Sequence, residues 1–297
     1  MVASMKMPGV HHYDELLAAG ISRHRMTALV DAGLLVRCAR GWYAEPSAGQ
    51  DVIRALRAGT RIGCLSACRL HGVWTPAHVG LHVAITTRAA LPVGDLLAVH
   101  RLPTAGWPGR DPVLDLPHCI PQVLRHHGAE AGLMVLESAV NKGLLSYGQA
   151  LEIMASFTGR RYALLRHFDP RAESGTETRI RVDLQKKGIC VRTQVQITGI
   201  GRVDMLVDDA WIIEADSRAH HTGVLSYEAD RGRDLPAGAG GFFTSRLTHH
   251  QTFGDWRHTR QCLSAIYATG VSKRRISPEI EVWQPELGVV RLHKRCA

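Results

Sequence analysis

Between Val191 and Ala215 the chain crosses three apolar runs set close together: Val191 to Thr198, Val203 to Val207 and Trp211 to Ala215. None is long enough for a helix, which needs about 12 residues to be stable in water. Short runs rich in Val, Ile and Trp suit strands. Asp208-Asp209 makes the turn between the second and third. An amphipathic helix precedes them, Ser174 to Lys187, with Ser174 as its cap, Glu177 in a capping-box position and Gly188 as its stop. Beyond them, Leu225 to about Leu235 reads as a helix and Gly241 to Leu247 as a fourth strand. The expected order is therefore helix, three-stranded meander, helix, strand.

Acids interrupt these strands. Asp204 lies inside the second run, Glu214 closes the third, and Asp216 follows two residues later. A carboxylate inside an apolar strand is costly unless it is paired or bound to metal. Side chains two apart on a strand share a side, so Glu214 and Asp216 are expected to point together, with Asp204 alongside on the adjoining strand. Three carboxylates in one place repel each other unless a cation joins them. Oxygen-only ligands suit Mg²⁺ or Mn²⁺, which activate water and stabilise the charge that develops during phosphodiester cleavage. Taken singly, other residues here have plainer roles: Glu177 is equally a helix cap, His220-His221 a solvated turn, and Asp230 with Arg231 a surface pair. The glycines at 238, 240 and 241 have no following Lys-Ser/Thr, which excludes a nucleotide-binding loop.

Helix, meander, helix, strand is the core order of the PD-(D/E)XK nucleases. Within that fold the chain resembles the Vsr-like group of uncharacterised endonuclease domains. The matching stretches are Ser174-Gly-Thr-Glu-Thr-Arg-Ile-Arg, Gln194-Val-Gln-Ile, Gly201-Arg-Val-Asp-Met-Leu-Val, Trp211-Ile-Ile-Glu-Ala-Asp-Ser-Arg-Ala-His-His, Asp230-Arg-Gly-Arg and Gly241-Phe-Phe-Thr-Ser-Arg, in the correct order. The resemblance implies roles. Asp204 is the principal metal ligand, Glu214 and Asp216 form the acidic pair, and Glu177 is an outer ligand through water. His220 or His221 lies near the attacking water. Arg231 and Arg233 hold carboxylates or a phosphate, and Gln196 and Arg246 line the site. The chain departs from the pattern in three places. Asp216 stands where the general motif has lysine, as is normal in this group. Ser217 stands where the group has glycine. Pro236 and Gly238-Ala-Gly-Gly interrupt the final helix, since proline inside a helix costs about 3 kcal/mol.

The N-terminal end has a different pattern. Tyr13 to Ala19 reads as a short helix stopped by Gly20; Ser22 caps a second, Arg23 to Ala32, stopped by Gly33. Leu34 to Arg37 and Gly41 to Ala44 then read as two short strands around Cys38-Ala39-Arg40. The stretch from Ile21 to Arg37, followed by Arg40-Gly-Trp-Tyr-Ala, resembles the winged helix-turn-helix of AbiEi-type antitoxins, a unit that binds DNA. Arg23, His24 and Arg25 fall on the first turn of the second helix, from which side chains reach base edges. Arg37 and Arg40 fall on the wing, facing phosphate. A net charge of +9 and a pI near 9.5 agree with a polyanionic partner. The other role for such a unit is protein contact alone.

The middle of the chain carries no chemistry legible in sequence. Asp51 to Ala58 and the stretch from Ser66 to His71 read as helical and Val79 to Thr86 as a strand. Pro92 to Pro121 reads as strands and loops, and Ala129 to Lys142, Ser146 to Phe157 and Arg160 to His167 as helices. The seven cysteines have no CxxC pair, an odd count and scattered spacing, which favours reduced, buried thiols over disulfides or zinc. Cys64 and Cys68 lie one helical turn apart with no second pair nearby, so no structural zinc site is expected. Of the 17 histidines, the pairs at 11-12, 126-127 and 249-250 are expected to be solvated or packed.

The 297 residues suit more than one core. The expected organisation is α+β: residues 1–60 a winged helix-turn-helix, 61–170 a mostly helical connecting segment resembling the AbiEi second domain, and 171–297 a restriction-endonuclease-like core with a mixed sheet. With no basic leader and no apolar stretch of membrane-spanning length, the expected location is the cytoplasm. The expected activity is Mg²⁺- or Mn²⁺-dependent hydrolysis of DNA. The alternative is an antitoxin-like transcriptional regulator, with a cognate toxin, whose nuclease fold is inactive. Oligomeric state is not legible.

Overall fold

The computed structural model of the protein describes residues 9–86, 97–102, 111–216, 233–277, 279–284 and 288–290. Ser217, His220, His221 and Arg231 lie outside the described residues, as does the stretch from Leu225 to residue 232 expected as a helix. The described residues form a mixed α+β assembly in two units, Met1–Val135 with Leu144–Gly159, and Leu136–Gly143 with Arg160–Ala297.

The first unit opens with β1 (Val10–His12), α1 (Tyr13–Ala18), α2 (Arg23–Asp31), β2 (Val36–Ala39) and β3 (Trp42–Ala44). The strands pair antiparallel in the order β1-β3-β2. Ser22 Oγ accepts the Arg25 N–H at 3.2 Å, the expected cap of α2. Leu16, Met26 and Leu35 form the small core beneath the two helices and the hairpin. The strand expected to stop at Arg37 instead runs through Cys38, which is buried, and the chain turns at Gly41, with φ +79°. A side chain there would also press on His12, at 3.0 Å from its Nε2. Strand β1 is three residues long, too short to show alternation in sequence.

The remainder of this unit comprises α3 (Gln50–Arg57), β4 (Arg61–Ile62), α4 (Cys64–Leu70), β5 (Leu81–Thr86), β6 (Leu97–Leu102), α5 (Leu116–Asn141) and α6 (Tyr147–Ala155); the end of α5 belongs to the second unit. The sheet order is β4-β5-β6, with β5 and β6 parallel. Helix α5 begins within the stretch expected to be loop and takes in Pro121 at the cost of a helical hydrogen bond. Gly128, with φ 84° and ψ 177°, breaks it into two helical segments.

The second unit is built on α7 (Gly175–Gln185), β7 (Val191–Ile197), β8 (Gly201–Val207), β9 (Trp211–Asp216), helical residues 233–239 (α8), β10 (Phe243–Thr248), α9 (His249–Phe253), α10 (Trp256–Ala268), β11 (Val282–Gln284) and β12 (Gly288–Val290). Arg160–His167, expected as an α-helix, is a 3₁₀ helix. The mixed sheet runs β10-β9-β8-β7-β11-β12, with β10 parallel to β9 and the other pairs antiparallel. Ile180 and Leu184 of α7 and Leu263 of α10 pack on Met205, Val207, Trp211 and Ile213. The alternating residues Leu206 and Ile212 pack instead with Ala237 and Phe242. Pro236 does not interrupt α8. The helix ends at the glycines beyond it, where Phe242 N donates to Ala237 O at 2.9 Å and Gly241 takes φ +92°. Among the described residues no helix is long and apolar enough to cross a membrane. Cys38, Cys64, Cys68 and Cys119 are free, buried thiols as expected; Cys262 is free but exposed, and Cys190 is disulfide-bonded.

One ion pair is fully enclosed. Arg181 of α7 and Glu137 of α5 are each 1% exposed and meet at 2.6 Å. Glu137 also accepts from Thr178 Oγ1 at 2.6 Å and from Asp169 N at 2.7 Å, and Arg181 donates to His167 O at 2.6 Å. Removing one member strands the other charge out of water, so Glu137→Ala should destabilise the protein by about 3–5 kcal/mol. Urea titration of the full chain checks this; a loss under about 1 kcal/mol would mean that water reaches Arg181.

Candidate functional site

The ladder between β8 and β9 ends at the pair Met205↔Ile213. One residue further along, Asp204 stands opposite Glu214. Side chains replace the missing backbone bonds there: Ala215 N donates to Asp204 Oδ2 at 2.8 Å, and Asp204 N donates to Glu214 Oε2 at 3.3 Å. The two acids therefore meet where the strands part.

Glu177 approaches from the first turn of α7, and is 4% exposed. Its Oε1 accepts from Ser174 Oγ at 2.7 Å; its Oε2 accepts from Glu173 N at 3.0 Å. Ser174 Oγ in turn accepts the Glu177 N–H at 3.2 Å. The cap is thus reciprocal, but the carboxylate reaches Glu173 rather than the backbone of Ser174. Gln194 of β7 joins the parts, its Nε2 donating to Glu177 Oε2 at 3.0 Å and standing 3.5 Å from Asp204 Oδ1. Its backbone has φ +53°, a conformation in which β7 slips its alternation: Val191 packs with Met205, but Val195 packs with Leu206.

Burial and the charge of Asp204 push Glu177 up to about 7 and Glu214 up to about 8. Burial also raises Asp204. Acids placed this way share protons at neutral pH or hold a cation in their place.

The other expected site residues are distributed differently. Gln196 is exposed and does not line the site; Gln194, displaced by the irregular backbone, takes that place. Arg246 lies in register with Glu214 on β10, but its guanidinium binds both oxygens of Asp234, at 2.7 and 2.5 Å. Arg233 donates to Arg202 O at 3.3 Å, and its charge draws Glu214 partly back down. Asp216 ends β9 in register with Thr248. In the first unit Arg23, His24 and Arg25 are exposed on the first turn of α2, and Arg37 and Arg40 are exposed on β2 and its turn. Arg23 Nε donates to the Tyr13 hydroxyl, with its guanidinium 5.6 Å from the ring centre.

A second cluster lies in the first unit. Cys64, His82, His100 and His127 bring ligand atoms within 4.8 Å of one another, and form a group able to hold a metal ion. The donors come from four elements spread between residues 64 and 127, so no local spacing betrays them. The legible signal is a histidine inside each of two apolar strands, Leu81 to Thr86 and Leu97 to Leu102. A thiol with imidazoles is a softer donor set than Mg²⁺ prefers.

No family model matches the chain, and no curated protein matches it. Among solved structures, the crystal structure of the RV2827C protein from Mycobacterium tuberculosis aligns at 17% identity over 59% of this chain and 71% of that one, with a TM-score of 0.24. At that score the likeness carries no argument about fold or function.

The raised carboxyls predict a pH dependence. Between the ordinary 4.5 and about 8, the folded protein retains protons that the unfolded chain has released. Their contribution to stability is complete below 4.5 and is lost as pH rises through the folded values. Metal-free protein should therefore lose stability across that window, and Asp204→Asn, which removes the charge shared by both neighbours, should flatten the slope. Thermal melts from pH 4.5 to 9 in chelator measure it; the same slope in both proteins would count against the coupling.

Proposed function

We propose that the chain is a DNA-binding protein whose C-terminal part is a PD-(D/E)XK-type endonuclease domain of the Vsr-like kind, hydrolysing phosphodiesters with Mg²⁺ or Mn²⁺. The observation that carries this is the juxtaposition of Asp204 and Glu214 at the point where β8 and β9 part. They are held there by backbone N–H groups and reached by Gln194.

The donor set fits a hard divalent cation. Asp204 and Glu214 supply carboxylate oxygens, as such ions prefer. Gln194 Oε1 is buried with no hydrogen-bond partner among the described residues, an acceptor left open beside the acids. Bound there, Mg²⁺ or Mn²⁺ would lower the pKa of a water and neutralise charge on the phosphate. Glu177, with both oxygens engaged by Ser174, Glu173 and Gln194, suits an outer position. Arg233 supplies positive charge next to Glu214. The proposed roles of Asp216 as a ligand, His220 or His221 beside the water, and Arg231 on a phosphate rest on the sequence resemblance.

The N-terminal helices and hairpin are proposed to be the winged helix-turn-helix. Their support is the order of elements and the exposure of Arg23, His24 and Arg25 on α2, with Arg37 and Arg40 on the hairpin. The second reading is an antitoxin-like regulator with a toxin partner and an inactive nuclease fold. The engagement of Arg246 by Asp234 favours it, because that guanidinium is then occupied beside Glu214.

Two experiments test these readings. Supercoiled plasmid incubated with the protein should be nicked with Mg²⁺ or Mn²⁺, and not by Asp204→Asn, which keeps size and removes charge while leaving DNA affinity nearly intact. Equal nicking by both proteins would identify a contaminant, and DNA binding without nicking on several substrates would favour the regulator. Separately, replacing Arg23, Arg25, Arg37 and Arg40 by alanine should weaken duplex binding and reduce the log-log salt slope by about 0.9 for each phosphate no longer neutralised. An unchanged slope would remove α2 and the hairpin from the DNA interface.

A further inference from the structure

The first unit contains a cluster that DNA cleavage does not use. Strands β5 and β6 pair parallel with His82 opposite Ala98 and Ala84 opposite His100, so both histidines share a side of the sheet, with one residue pair between them. Cys64 is the first residue of α4, and His127 is the last residue before Gly128 breaks α5. We propose that Cys64, His82, His100 and His127 are the four ligands of a Zn²⁺ ion that ties α4, β5, β6 and α5 together.

Three observations support it. The first is distance. All four donors lie within 4.8 Å of one another. Tetrahedral zinc with Zn–S of about 2.3 Å and Zn–N of about 2.0–2.1 Å sets neighbouring donors roughly 3.3–3.7 Å apart. Small side-chain rotations close that difference.

The second is an unmet need inside the cluster. Cys64, His82 and His100 are 0%, 4% and 6% exposed. His100 Nδ1 is buried with no hydrogen-bond partner among the described residues. Buried polar atoms are almost always satisfied, and those that are not call for an ion, a water or a functional reason. The aromatic neighbours are further imidazoles: the His126 ring lies 4.4 Å from that of His100, and the His78 ring 5.0 Å from that of His82.

The third is backbone strain at the thiol. Cys64 has φ +49°, a left-handed conformation that costs free energy for a residue with a Cβ and persists where its surroundings impose it. Ser66 braces the adjoining strand, accepting the His82 backbone N–H at 3.0 Å and meeting His78 Nε2 at 3.3 Å.

The donor chemistry selects zinc over Mg²⁺ or Mn²⁺. A thiolate and three imidazoles form a borderline-soft set, and four protein ligands fill a tetrahedron without an open position, as in structural sites. On binding, the Cys64 thiol gives its proton to solvent and the sulfur takes the metal; nothing is oxidised. All four donors belong to the first unit.

Metal analysis of the full-length protein, purified without a histidine tag, tests the proposal. One equivalent of zinc per chain is expected, retained in Asp204→Asn and in Cys262→Ser, and lost in His100→Ala and Cys64→Ser. Stripping it with chelator should lower the thermal midpoint, and zinc should restore it. Because the ligand variants could fail to fold, wild-type protein loaded with Co²⁺ gives a second readout: intense visible bands of tetrahedral cobalt with thiolate charge transfer. Protein that takes up neither zinc nor cobalt stoichiometrically overturns the site. So do zinc that leaves with Asp204→Asn and cobalt spectra without the thiolate band.

Discussion

The second unit depends on keeping Arg181 and Glu137 charged where water does not reach. Taking both ions out of solvent costs several kcal/mol each, which their mutual attraction and further hydrogen bonds offset. The chain supplies these from separate places: Thr178 and Asp169 N for the carboxylate, His167 O and Gln185 for the guanidinium. Because Arg181 and Thr178 lie on one face of α7, these bonds fix the helix in both position and rotation. Glu177 is next to Thr178, so the same network fixes where the outer carboxylate of the candidate site stands. The pair's role is thus placement, which does not require it to stabilise more than an apolar substitute would.

The candidate site draws on a second constraint, the end of a β-ladder. Where β8 and β9 separate, backbone N–H groups lose their strand partners, and Asp204 and Glu214 accept two of them. This holds the acids a strand spacing apart. Gln194 reaches both Glu177 and Asp204 from a left-handed backbone, an irregularity that a regular strand would not permit. Proton sharing and cation binding are alternative ways of relieving one repulsion, which is why the raised carboxyls and the proposed metal belong together.

The two units concentrate opposite donor chemistries. Carboxylates beside backbone N–H groups suit ions that prefer oxygen, whereas the thiol and imidazoles of the first unit suit ions that prefer nitrogen and sulfur. Each cluster therefore discriminates against the other's metal by ligand type. A closed site of four protein ligands in the first unit would add rigidity to a sheet of short strands, of which β4 has two residues.

The sequence by itself determined most of the elements of the second unit. Its helix, three-strand meander and fourth strand follow from short apolar runs, a serine cap and acidic turns, all local signals. It also singled out Asp204 and Glu214, since an acid in an apolar strand shows as a cost in the sequence alone; Glu177 entered only through the resemblance. The resemblance pointed to Gln196; a regular strand would put Gln194 and Gln196 on one side, and the left-handed φ at Gln194 breaks that pattern. Arg246 falls on the expected strand, but its bond to Asp234 depends on where α8 lies against β10. Pro121 hides the length of α5, as does a break at Gly128 that packing tolerates. The Cys64 cluster was decided by tertiary structure alone: its four donors come from four elements, and no spacing rule connects a helix start, two parallel strands and a helix end. Local sequence fixes which residues prefer helix or strand, but only the closure of the chain decides which distant donors share one small volume.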